Sequence, residues 1–63
     1  MELWLVVDYY EDMELLGMDM TREQAEAVIA QRIEDTDGEC DCQMFSQSDE
    51  KEVYQYWLDR GYE

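Results

Sequence analysis

DYYEDMELLGMDM, residues 8–20, is the stretch on which the fold of this chain turns. Asp8 followed by Glu11 has the spacing of a helix-capping pair, which would make residues 9–16 a short helix closed by Gly17. Read the other way, Glu11 and Asp12 form the polar tip of a hairpin. A strand then runs from Glu14 to Met20, with Leu16, Met18 and Met20 on one side. The helical reading leaves only two clear strands in the chain, which make a poor sheet. The hairpin is therefore the expected structure.

Working outward from that stretch, Glu2 to Tyr10 is rich in β-branched and aromatic residues and reads as the first strand. Leu3, Leu5 and Val7 fall on one face, Trp4 and Val6 on the other. C-terminal to the hairpin, Thr21 and Gln24 form a capping box, and Met20 can staple onto Ala25 across it. A helix follows from Arg22 to Asp35 with Ala25, Val28, Ile29 and Ile33 along one side. Asp37 and Gly38 end it, with Gly38 suited to the left-handed conformation. Residues 39–45 alternate again, placing Cys40, Cys42 and Met44 on one face. Ser46 or Ser48 caps a last helix from Asp49 to Arg60 that Gly61 stops, its apolar stripe formed by Val53, Tyr54, Trp57 and Leu58. The expected fold is a single α+β domain, β-β-α-β-α, with a three-stranded antiparallel sheet in the order 2-1-3 and two helices.

Charge narrows the function. The chain of 63 residues carries 18 acidic side chains against four basic ones, no histidine, and a formal net charge of −14. A net charge of roughly 2–8 suffices for solubility at this size, and the excess makes the compact state repel itself. Disorder does not follow, because 46% of the residues are apolar and 13% aromatic. Direct binding to nucleic acid or to anionic lipid is disfavoured by like charge. No apolar stretch is long enough to span a membrane, and Leu3 to Val7 is too short for a secretory core and follows Glu2, so a cytoplasmic protein is expected.

The topology gives the acids a location. With strand order 2-1-3, the hairpin tip, the end of the first helix and the start of the third strand meet at one end of the domain. Asp8, Glu11, Asp12 and Glu14 then lie near Glu34, Asp35, Asp37 and Glu39, and neither segment holds a Lys or Arg. Asp49, Glu50 and Glu52 begin a helix, where the dipole favours anions, so structure alone accounts for them. Glu34 and Asp35 sit at the opposite end, where the dipole opposes each by ~0.3–1 kcal/mol. Neighbouring carboxylates lie roughly 5–6 Å apart on a helix face, as for Glu23 and Glu26. Along a strand they lie roughly 6.6–6.8 Å apart, as for Glu39 and Asp41. Both intervals match the scale of successive phosphates. A basic surface built for nucleic acid can accept them, with Arg gripping a carboxylate in bidentate fashion. The plainer account is that these acids only solvate a polar surface. The candidate partner-binding residues are Glu11, Asp12, Glu14, Glu34, Asp35, Asp37 and Glu39.

Other chemistries find little support. Two cysteines without a histidine fall short of a structural zinc site, and they read best as small residues packed on a strand face. Asp35, Asp37 and Gly38 resemble part of a calcium-binding loop, but Ile33 and Met44 would occupy its first and twelfth ligand positions. There is no glycine-rich phosphate loop, and nearby carboxylates raise rather than lower a thiol pKa. Neither catalysis nor a cofactor is expected.

In length, charge and the succession ELWLVVDYY (residues 2–10), TREQAEAVIAQRI (21–33) and ECDCQMF (39–45), the chain resembles small acidic phage-encoded anti-CRISPR proteins of the DNA-mimic type. The inhibitors of type I systems, among them the type I-C group, are the nearest in character. That resemblance implies binding to an RNA-guided surveillance complex of the Cascade type in a host bacterium and blockade of target-DNA entry, by a monomer or weak dimer. Competing readings are a DNA mimic aimed at a uracil-DNA glycosylase, a restriction enzyme or a nucleoid protein, and adaptation to high salt. A further one is an antitoxin or adaptor binding through exposed aromatics such as Trp4, Tyr54, Tyr56 or Trp57.

Overall fold

The computed structural model describes residues 2–60. Strands β1 (Trp4–Asp8), β2 (Glu14–Met20) and β3 (Cys42–Ser46) form one antiparallel sheet in the order β2-β1-β3, with helices α1 (Arg22–Thr36) and α2 (Lys51–Asp59). This is the α+β arrangement expected from the hairpin reading. The competing helix over residues 9–16 does not form. Asp8 instead accepts the Tyr10 N–H at 3.0 Å in an Asx turn that opens the hairpin tip.

The two faces of β1 are each covered by a different helix. Leu5 and Val7 are fully buried on one face and pack with Leu15, Phe45 and Trp57, so α2 lies on this side. Val6 is equally buried on the other face, where Asp8, two residues on, meets α1 through Arg32. Trp4, also on that face, lies under the Arg22 guanidinium, 5.7 Å from its ring centroid. Trp4 and Val6 thus belong to a second, smaller core with the fully buried Ala25.

Strand β2 departs from the expected alternation. Its pairing with β1 slips twice, between Val6 and Val7 and between Trp4 and Val6, so that Val7 faces Leu15, Val6 faces Gly17 and Trp4 faces Met20. Two residues of β2 are therefore extra, and Asp19 adopts a left-handed conformation with φ 59°. The expected trio Leu16, Met18 and Met20 does not share a face. Leu15 is the buried residue and Met18 joins the same core, whereas Met20 lies opposite Trp4 on the α1 side. The distorted segment is clamped by the buried Gln47. Its side-chain oxygen accepts the Asp19 N–H at 2.7 Å, and its amide donates to Asp19 Oδ1 at 3.0 Å.

Helix α1 starts as its sequence predicts. The Gln24 N–H donates to Thr21 Oγ1 at 3.2 Å and the Thr21 N–H to Gln24 Oε1 at 3.0 Å. It ends with the Asp37 and Gly38 N–H groups bonded to Glu34 and Ile33 carbonyls, with both Asp37 (φ 56°) and Gly38 (φ 86°) left-handed. Its inward stripe differs from the expected one: Ile33 is 48% exposed, and Arg32 with Thr36 continues the line from Ala25, Val28 and Ile29. Cys40 precedes β3 rather than belonging to it.

Helix α2 begins two residues later than predicted. Ser46 Oγ accepts the Asp49 N–H at 3.4 Å, but the Ser46 carbonyl takes the Glu50 N–H at 2.7 Å, which makes a turn of the intervening residues. Glu50 therefore stands at the N-cap, with no side-chain bond to the helix. Val53, Tyr54 and Trp57 face the core as expected, while Leu58 is exposed. The predicted stop at Gly61 lies outside the described residues. No helix among them is long and apolar enough to cross a membrane.

Candidate functional site

The end of the domain where β1 runs out is built around one buried carboxylate. Asp8 closes β1 opposite Glu14 of β2 and Cys42 of β3. Its Oδ1 accepts the N–H groups of Tyr10 and Asp41, each at 3.0 Å, and its Oδ2 accepts Arg32 Nε at 2.9 Å. The two backbone donors, that of Asp41 ahead of that of Tyr10, hold this carboxyl below its ordinary pKa; Arg32 adds to them against the opposing effect of burial. A second fork of the same guanidinium, Nη2, donates to Glu14 Oε1 at 2.9 Å. One arginine on α1 thereby joins the ends of β1 and β2.

Around this anchor lies a concavity of about 260 Å³ bordered by Tyr10, Glu11, Asp12, Glu14, Arg32 and Glu39. The structure therefore brings four of the seven candidate acids, Glu11, Asp12, Glu14 and Glu39, to one depression at the expected end. Their situations differ. Glu14 is tied to Arg32, whereas Glu11, Asp12 and Glu39 are exposed and accept no hydrogen bond from another side chain among the described residues. Asp35 accepts Gln31 Nε2 at 2.9 Å and borders a separate depression with Leu16 and Val28. Glu34, at about 100° per residue, lies about 200° around the helix from Arg32 and faces away. Asp37 is the exposed left-handed residue at the helix end.

Sequence reasoning missed Arg32 as a member of this site. The segments 8–14 and 34–39 contain no base, but Arg32 stands just before the second and turns inward between them. The sequence carried only half of the signal: Arg32 falls seven residues after Ala25 on the same helix face, and Ile33, four after Ile29 and eight after Ala25, fits that face as well. The remaining bases lie elsewhere. Arg22 pairs with Glu26 at 3.5 Å, Lys51 opens α2, and Arg60 rests on the Tyr56 and Trp57 rings.

The cysteines take a structural position. Cys40 and Cys42 are free and half-buried, and with Ile29 and Ile33 they border a shallow depression beside α1. Burial, then the neighbouring Cys40 thiol and the charge on Asp8, push the Cys42 thiol up to about 11. It stays protonated at neutral pH and is a weak nucleophile there. Among the described residues, no three Cys, Asp or Glu side chains are grouped so as to hold a metal ion.

Compared with known proteins, the chain matches no family model, no curated protein and no solved structure.

Proposed function

We propose that this protein acts by occupancy, presenting carboxylates in place of phosphates to a basic protein surface built for nucleic acid. The observation that carries the reading is the division of labour at the acidic end. Asp8 and Glu14 absorb Arg32, which leaves Glu11, Asp12 and Glu39 exposed around one concavity with no ion pair among the described residues. Three carboxylates without an ion pair among the described residues, on a hairpin tip and an adjoining loop, raise the self-repulsion of the fold. A cluster of Arg and Lys supplies the complementary charge, with bidentate geometry available at each carboxylate.

Among basic nucleic-acid-binding surfaces, the target proposed is the DNA-entry surface of a type I CRISPR surveillance complex, from the whole-chain resemblance. The mode is competitive and needs no chemistry from the inhibitor and no cofactor. The test is binding to a purified type I-C surveillance complex over a salt series, with and without target duplex. Saturable binding that weakens as salt rises and is displaced by duplex supports the proposal. Failure to compete with duplex at any salt concentration overturns it.

A further inference from the structure

The hairpin tip, residues 9–13, borders two concavities at once. Tyr10, Glu11 and Asp12 edge the acidic one. Tyr9 and Met13 edge another on the α2 side, of about 310 Å³, completed by Glu52, Val53, Tyr56 and Trp57. Five of these six side chains are apolar or aromatic, and Met13 at the rim is 49% exposed. The volume stands at the bottom of the range for small-molecule pockets, roughly 300–1,000 Å³, and suits one or two side chains. Met13 is unbranched and polarisable, so it adapts to guests of different shape.

Charge decides what can cover this groove. A second copy brings a net charge of −14 against −14, with only four bases to offset it. The charged side chain on the groove's edge is Glu52, and Glu11 and Asp12 flank it on the tip. Its aromatic border already seats a cation: the Arg60 guanidinium lies 5.3 Å from the Tyr56 centroid and 5.9 Å from that of Trp57. Arg60 already takes those ring faces, so it is the acids of the tip that favour a basic partner, and an apolar side chain is what the groove's floor accepts.

We infer that the groove receives an aliphatic or aromatic side chain projecting from the same basic partner whose Arg and Lys meet the acidic concavity, so that one hairpin tip is gripped from both sides. This rests on the proposed function and extends it. Phosphate mimicry alone binds any basic surface and dissolves in salt. An apolar anchor beside it adds a component that salt does not screen, and makes binding depend on what the partner carries next to its basic patch.

The full chain is titrated with three twelve-residue peptides. One is rich in Arg and Lys with a central Phe, the second has Ser in place of that Phe, and the third keeps Phe but replaces every base by Ser. Affinity is measured at low and high salt, and the Met13 methyl and Trp57 indole signals are followed by NMR. The expected result is that the basic Phe peptide binds at least tenfold more tightly than the basic Ser peptide, about 1.4 kcal/mol. It alone persists at high salt and moves both signals, and Met13→Ser or Tyr56→Ser removes its advantage without changing binding of the basic Ser peptide. Equal affinity of the two basic peptides overturns the inference and leaves the acidic-end reading standing. So does an advantage that survives both substitutions. Tight binding of the uncharged Phe peptide overturns the requirement for a basic partner. Concentration-dependent shifts without peptide would assign the groove to a second copy instead. If neither basic peptide binds, the acidic-end reading fails, and this inference with it.

Discussion

Asp8 and Glu14 on one side, Glu11, Asp12 and Glu39 on the other, are carboxylates within one small end of the molecule, yet they do opposite things. The first pair is drawn in by Arg32 and by two backbone N–H groups, and its charge becomes part of what joins α1 to the sheet. The second group touches no cation among the described residues and faces water. Acidic residues in a very acidic protein are therefore not one population. A carboxylate held by a half-buried partner reports on folding, and a carboxylate without one is free to report on binding. In the concavity the two kinds stand side by side.

The sharpest way to break this contrast is to reverse the outer group. Glu11→Lys, Asp12→Lys and Glu39→Lys together should weaken binding to the surveillance complex by at least about a hundredfold, about 2.7 kcal/mol, with the melting temperature unchanged or raised. A binding titration beside a thermal melt checks both, and undiminished affinity would remove the acidic concavity from the interface.

Next in size is the inner group. Asp8→Ala strands the Tyr10 and Asp41 N–H groups and the guanidinium, costing about 2 kcal/mol, or roughly 8–16 °C in Tm for a chain of this length. The effect depends on pH in a defined direction. Because the folded state lowers the Asp8 pKa, its stabilising charge is fully present above the ordinary carboxylate value near 4, and is lost as pH falls through the lower folded value. The difference in Tm between wild type and Asp8→Asn should thus be present at pH 7 and disappear in strong acid. A constant difference across that range would assign the role of Asp8 to shape instead of charge.

Smaller effects sharpen the outer boundary. Glu34→Lys with Asp35→Lys should raise stability by ~0.3–1 kcal/mol per residue through the helix dipole. It should weaken binding less than the triple reversal does, because Glu34 faces away from the concavity and Asp35 borders another. Equal or greater loss of binding would move the interface onto the side of α1. Smallest of all, Asp37→Gly should stabilise the fold by about 0.5 kcal/mol, since relief of a side chain in the left-handed region at the helix end outweighs the chain entropy that glycine adds, readable as a shift in denaturation midpoint.

Much of the architecture was legible because its signals are local. The capping box at Thr21 and Gln24, a first strand expected over Glu2 to Tyr10 and observed over Trp4–Asp8, and the hairpin in preference to a short helix follow from near neighbours in the chain. The gathering of acids at one end follows from strand order alone. What could not be read is non-local. Arg32 and Ile33 both fit the stripe started by Ala25, and only the buried Asp8, 24 residues away, decides that Arg32 turns inward. The two slips in β2 set Gly17 opposite Val6 and Met20 opposite Trp4, and the distorted end is clamped by Gln47, 28 residues from Asp19. At α2 neither serine caps the helix, because the Ser46 carbonyl takes the Glu50 N–H and makes Glu50 the N-cap. Tyr9 extends the Leu5 and Val7 alternation of the first strand, whereas Met13 lies outside every expected apolar stripe because no local period marks a loop wall.

The paired slips in β2 also bear on how this chain can drift in length. Each offsets the ladder by one residue, and together they bring Met20 back into phase with Glu14 at the far end of the strand. Loss or gain of one codon between Leu15 and Met20 would turn the entry to α1 onto the wrong face of the sheet. Loss of two would leave that entry in place on a shorter, straighter ladder. Among diverging copies of this sequence, length changes within β2 should therefore survive in twos and be purged in ones.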